Sequence, residues 1–216
     1  MKKENEIINI KIILLGDSTV GKTCMLMKYM KKEISEFHVA TIAINNYTKE
    51  IKIQNSKDKV KMTIYDTSGQ ERYKSIARNY YKKVDGVILM YDITNNESFD
   101  NLEEWIKEIE DNANQNIHIF IVGNKSDLYK ERAVKTEDGK SFAENHDCLF
   151  FETSIKQNKG VSQLFTTISE KICNSRKLLN YTVIEEEDTK SYKLSKRPPK
   201  DENAQKEKKS CCSKNK

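Results

Sequence analysis

The chain has 216 residues, of which 33% are charged and 37% hydrophobic, with a mean hydropathy of −0.77 and a formal net charge of +5. This length holds one ordinary domain with an extension and is short for two. The charge is too small for a nucleic-acid footprint, and no run approaches the ~18 consecutive apolar residues of a membrane span. The opening MKKENEIINI has no signal-peptide apolar region and leads straight into a strand pattern. Five cysteines without a Cys-x-x-Cys, three of them (Cys24, Cys148, Cys173) in apolar elements, predict reduced thiols and a reducing, cytosolic compartment.

INIKIILL is an apolar run broken only by Asn9 and Lys11, as expected of a strand covered on both faces. GDSTVGKT follows it and opens a helix, the setting of a phosphate-binding loop. Backbone N–H groups and the helix N-terminus at Gly16, Asp17, Ser18, Thr19, Val20, Gly21, Lys22, Thr23 and Cys24 would cradle phosphate oxygens. Lys22 would reach the β- and γ-phosphates, and the Thr23 hydroxyl would ligate Mg²⁺. The rival reading is a glycine-bearing turn with an incidental lysine; seven glycines in the whole chain and the strand and helix flanks disfavour it.

TIAINNYTKEIKIQN and KVKMTIYD read as two strands joined by a polar hairpin around Ser56–Asp58. The second ends in YDTSGQE, where Asp66 suits a Mg²⁺ site, Gly69 can bring its N–H close to a γ-phosphate, and Gln70 can orient an attacking water. GVILMYD is the next apolar strand. A helical stripe follows at Phe99, Leu102, Trp105, Ile106 and Ile109, and it is read as core with no site implied.

IHIFIVG ends in GNKSD. There Asp127 would accept two hydrogen bonds from guanine, Asn124 would brace the loops, and the Lys125 stem would lie along the base. CLFFET closes the strand series, and its ETSIK (Ser154, Ile155, Lys156) places a backbone N–H where it can meet the guanine carbonyl. A last apolar helix runs through Val161, Leu164, Phe165, Ile168 and Ile172. Strands alternating with helices predict an α/β fold with a six-stranded, mostly parallel sheet and helices on both faces, and ligands at the carboxyl ends of the strands.

With these motifs in this order, the chain resembles the Ras superfamily of small GTPases and, within it, the Rab family. The Rab character rests on GQERYKSIARNYY, VDGVILMYDITNNESF, EEWIKEI and a tail with two adjacent cysteines. The resemblance covers about Ile8 to Lys177, dividing the chain into a GTPase domain at 1–177 and a disordered tail at 178–216. It implies a GTP/GDP switch that hydrolyses GTP, with a bound guanine nucleotide and Mg²⁺. Thr41 in ATIAI matches the switch threonine that closes on Mg²⁺ and the γ-phosphate, a role carried by the resemblance alone. Exchange factors, GTPase-activating proteins, a GDP-dissociation inhibitor and effectors would meet a monomer through the switch regions.

Departures from the family pattern gather around the switches. IAINN stands where Rab proteins read Ile-Gly-Val-Asp-Phe, so the phenylalanine and tryptophan of the aromatic effector patch become Asn46 and Tyr65, with Tyr80 or Tyr81 as third member. A one-residue shift of register would put Tyr47 in the phenylalanine's place instead. Ser68 replaces the customary alanine and Thr19 a frequent glycine. The altered residues raise a rival reading, a GTP-locked adaptor that does not hydrolyse, against which Gln70, Thr41 and Asp66 are retained. A phosphate-loop kinase or ATPase is disfavoured by Asp127 and by the lack of a substrate domain.

After Lys177 the chain is charged, carries both prolines and has no periodicity, which predicts disorder and a tether of roughly 30 Å. It ends in KKSCCSKNK. In the family's light Cys211 and Cys212 would be geranylgeranylated, placing the protein on the cytoplasmic face of intracellular membranes with a cytosolic pool. Two chains matter because one gives only marginal residence, each buried CH₂ being worth ~0.8 kcal/mol. Nearby lysines add about 1 kcal/mol each on an anionic leaflet. Ser213 occupies the position where a C-a-a-X box needs cysteine; free surface thiols remain the alternative.

Position 34 carries a prediction. The family places an aromatic ring there against the guanine, and this chain has Ile34. Loss of ring stacking is worth roughly 1–3 kcal/mol, and about 1.4 kcal/mol corresponds to tenfold. Stopped-flow release of a fluorescent GDP analogue should therefore be about tenfold slower from Ile34→Tyr than from the wild type. Equal rates would show that another side chain, Phe37 being nearest, covers the base.

Overall fold

The computed structural model describes residues 7–32, 44–53, 59–67, 74–176 and 183–184. Ile34, Phe37, Thr41, Ser68, Gly69, Gln70, Cys211, Cys212 and the predicted hairpin around Ser56–Asp58 lie outside the described residues.

The described strands form one sheet in the order β6-β5-β4-β1-β3-β2-β7. Strand β1 (Ile7–Leu15) is central and parallel to both β3 (Lys59–Asp66) and β4 (Gly86–Asp92); β4, β5 (His118–Asn124) and β6 (Leu149–Glu152) continue in parallel. Strand β2 (Asn45–Ile53) runs antiparallel beside β3, which a hairpin connection permits. The six expected strands are all present. A seventh, β7 (Val183–Ile184), adds two residues to the β2 edge from a segment read as irregular tail.

Side-chain alternation on β1 divides the core. Ile8, Ile10, Ile12 and Leu14 pack under α1 (Lys22–Tyr29) and α6 (Val161–Ser175), where Tyr29 stacks on Phe165 at 3.8 Å. Ile13 and Leu15 join the other layer with α4 (Leu102–Asn112). Asn9 and Lys11, the two interruptions of the apolar run, are exposed where that second layer leaves β1 bare. Strand β4, flanked by β1 and β5, is buried at all seven positions, so its sequence shows no alternation.

The apolar stripe from Phe99 to Ile109 is split between α3 (Asn96–Asp100) and α4, with Asn101 at the junction. Asn95 caps α3 by accepting from the Ser98 N–H at 3.3 Å. Helices α2 (Lys74–Tyr81) and α5 (Thr136–Asn145) complete the set, and the Arg78 guanidinium of α2 grips Glu108 of α4 with two hydrogen bonds.

Pairing of Asn46 with Tyr65 settles the register of β2. Tyr47 faces the core on the α1 side, so the shifted register is excluded. The Tyr65 ring meets Tyr80 with centroids 4.8 Å apart, whereas Tyr81 is fully buried; the third aromatic position is Tyr80.

Because β1 is flanked by β3 on one side and β4 on the other, chain order reverses at its carboxyl end. An open parallel sheet has its natural crevice at such a point, and the loop of residues 16–21 begins there.

Candidate nucleotide-binding site

The loop between β1 and α1 is built from unusual backbone. Gly16 (φ 124°), Thr19 (φ 66°) and Gly21 (φ 103°) all have positive φ. A Cβ on Gly16 would lie 2.1 Å from the Met90 carbonyl oxygen, and one on Gly21 would lie 2.4 Å from Asn124 Nδ2. Both positions therefore require glycine for space as well as for torsion. Thr19, where a glycine is frequent in the family, adopts the left-handed region with a side chain.

Lys22 opens α1 and folds back into the loop, its ammonium donating to the carbonyls of Gly16 (2.8 Å) and Asp17 (2.5 Å). It is 5% exposed, and burial pushes its pKa down to about 8 against the opposing pull of Asp66 and Asp17. Asp66, at the end of β3, is fully buried; burial pushes its pKa up to about 6, against the Thr23 hydrogen bond and Lys22. Thr23 Oγ1 donates to Asp66 Oδ2 at 2.8 Å, and Asp66 Oδ1 has no hydrogen-bond partner among the described residues. Lys22 and Asp66 are thus both driven toward neutrality. A phosphate on the lysine and a hard cation on the orphaned carboxylate oxygen would restore both charges, and oxygen donors of this kind suit Mg²⁺.

The second group lies along the same rim, beyond β5 and β6. Asn124 is 1% exposed. Its Nδ2 donates to the Val20 carbonyl at 2.8 Å and its Oδ1 accepts from Thr153 Oγ1 at 3.1 Å, bracing three loops as the sequence predicts. Asp127 accepts from Ser154 Oγ at 2.6 Å, and the same serine oxygen accepts from the Gln157 N–H at 3.0 Å. Ile155 packs against the α1 side of the core, and Lys156 is exposed. Lys125 has φ 65° and its ammonium pairs with Asp92 at 2.5 Å. Cys24 is half-buried on α1, where burial pushes its thiol pKa up.

Four participants escape sequence reading. Trp105, read as core alone, donates its indole N–H to Asp17 Oδ1 at 2.9 Å, and Asn101 donates to Asp17 Oδ2 at 2.7 Å. Asp92 holds Lys125, and Arg132 binds both oxygens of Glu152 at 2.7 and 3.1 Å, fixing the end of β6. Hydrophobic periodicity places Trp105 correctly inside but carries no information about where the indole N–H points.

A phosphate loop at the switch point of a mostly parallel sheet, with an Asn-Lys-x-Asp loop on the same rim, defines the fold and site of a small GTPase. The Ras family model matches residues 11–174. Rab-10 of Diplobatis ommata is 35% identical over 195 residues, covering 90% of this chain and 94% of that protein. Rab-11B of Dictyostelium discoideum is 43% identical over 158 residues (73% of this chain, 71% of that one), and Rab11B of Nicotiana tabacum 41% over 162 (75% and 74%). The chain belongs to the Ras family, on its Rab branch. It binds guanine nucleotide and is a GTP-hydrolysing switch of vesicle trafficking.

The Asp66 environment gives a pH prediction. Its folded pKa lies above the ordinary carboxylate value, so its contribution to stability is fully present below about pH 4 and is lost as pH rises through about 6. In nucleotide-free protein at pH 7.5 the buried carboxylate opposes folding, and Asp66→Asn should raise the unfolding midpoint. The difference from wild type should shrink as pH is lowered to 5; a gap independent of pH would mean that the carboxyl does not titrate in this range.

Proposed function

We propose that the rim described above is the GTP site, with phosphates at residues 16–24 and guanine at Asn124, Lys125, Asp127 and Ser154–Lys156. The observation that carries this reading is the Asn124 bridge: one buried side chain joins Val20 of the phosphate loop to Thr153 beside the base loop. The two ends of a nucleotide are thereby held at a fixed separation.

In this reading Lys22 trades its two carbonyl partners for β- and γ-phosphate oxygens. Thr23 and Asp66, joined by Thr41, would hold Mg²⁺, which when bound neutralises charge between the β- and γ-phosphates. Gly69 donates its N–H to the γ-phosphate and Gln70 orients the attacking water. Asp127, fixed by Ser154, accepts from guanine, and Lys125 lies along the base. Loss of the γ-phosphate frees the Thr41 and Gly69 segments, which is the switch.

Exchange factors, activating proteins, a GDP-dissociation inhibitor and effectors would read those segments. The surface bearing Tyr65, Tyr80 and exposed Asn46 is more polar than an all-aromatic patch. Residues 1–177 with the added strand β7 form the GTPase domain, and the rest of 178–216 tethers it to the cytoplasmic face of an intracellular membrane through lipid on Cys211 and Cys212, with a cytosolic pool. Among the described residues no helix is long and apolar enough to cross a membrane.

Gln70→Leu should slow single-turnover GTP hydrolysis at least tenfold in the presence of a matched activating protein; an unchanged rate would assign water positioning to another group. Asp127→Asn should shift preference from guanine toward xanthine nucleotides. Xanthine presents a carbonyl where guanine has its exocyclic amine, and the new amide can donate to it. Undiminished selectivity for GDP in competition binding would remove Asp127 from the base site.

A further inference from the structure

Asp17 sits in the phosphate loop, yet both its carboxylate oxygens are already taken. Trp105 Nε1 donates to Oδ1 at 2.9 Å and Asn101 Nδ2 to Oδ2 at 2.7 Å. The main-chain carbonyl of the same residue accepts from Lys22 Nζ at 2.5 Å. A carboxylate so engaged is an anchor. Its mooring is rigid: Trp105 is 2% exposed and packed with Ile13, Leu15, Leu102 and Ile109, and Asn101 stands at the α3–α4 junction. The loop itself is neither helix nor strand between β1 and α1, and three of its six residues have positive φ, so side chains from outside it help to hold its shape.

We infer that Asp17 is a positioning residue: clamped by Trp105 and Asn101, it fixes the phosphate loop in the shape that retains a nucleoside diphosphate. Helix α4 is then part of the nucleotide site without touching the nucleotide. Both clamp bonds are charge-assisted and part-buried, and charge-assisted bonds are roughly twice as strong as neutral ones. Removing the acceptor also takes the Asp17 oxygen away from the buried indole N–H. The inference rests on the assignment of residues 16–24 to the phosphates.

Three variants test it in the full chain loaded with a fluorescent GDP analogue. Trp105→Phe keeps the ring and deletes one donor. Asp17→Ala deletes both acceptors. Asp17→Asn keeps an oxygen for the indole, and the Asn101 amide can turn to present its own oxygen to the new amide. Release should be about tenfold faster for Trp105→Phe and faster still for Asp17→Ala, with Asp17→Asn nearer to wild type. Preference for GDP over XDP, set at Asp127, should not change.

Release at the wild-type rate from Trp105→Phe and Asp17→Ala overturns the inference, even if their unfolding midpoints fall, because the bonds then serve the fold alone. Faster release accompanied by loss of base selectivity also overturns it, since that is general loosening. If Asp17→Ala does not fold, Trp105→Phe and Asp17→Asn decide the matter by the same readouts. A wild-type chain whose GDP binding is insensitive to Lys22→Ala would instead overturn the phosphate-loop assignment on which the inference stands.

Discussion

Burial of Lys22 at the start of α1 and of Asp66 at the end of β3 is the constraint on which the rest of the molecule depends. Each is an ionisable group driven toward neutrality by its surroundings, with Lys22 lowered to about 8 and Asp66 raised to about 6. A fold that carries such groups opposes part of its own stability unless something restores their charges. Lys22 meanwhile leans on two loop carbonyls, and Asp66 leans on Thr23. A ligand that restored those charges would bind the folded chain and stabilise it.

The sheet makes that burial possible. β1 and β3 run parallel in register from Ile7↔Lys59 to Leu14↔Asp66, so Asp66 emerges beside the start of the phosphate loop. Thr67 Oγ1 then donates to the Leu14 carbonyl at 2.6 Å and holds the strand end in place. Further along the rim Thr153 donates to Asn124 and Ser154 to Asp127, while Arg132 and Thr136 close on Glu152. Loops carry the candidate site residues, and buried side chains on strand ends fix the loops. The Arg78–Glu108 pair and the Asp17 clamp both attach to the α3–α4 region, so that region contacts both the α2 helix and the phosphate loop.

Local motifs are legible in the sequence as short runs of residue types at strand ends. The phosphate loop, the Asp66 strand end and the Asn124–Asp127 loop each join a short run of residue types to a strand end, and all three lie where the sheet puts ligands. Four strands were legible from apolar runs and two from a hairpin pattern. The two-residue β7 was not, because Val183 and Ile184 form a strand only by adding to the β2 edge. The choice between Asn46 and Tyr47, or between Tyr80 and Tyr81, was equally closed to sequence. A strand's register and a helix's rotation are set by partners distant in the chain.

By itself, then, the sequence determined the fold class and the order of the motifs along the strand ends, because each is encoded within a few consecutive residues. Tertiary structure decided which polar atoms meet. The indole N–H of Trp105 reaches Asp17 across 88 positions of sequence, and Asn124 reaches Val20 across 104. Such bonds follow from how helices and loops pack on a shared sheet, and hydrophobic periodicity specifies which face is buried without specifying which donor on that face finds which acceptor.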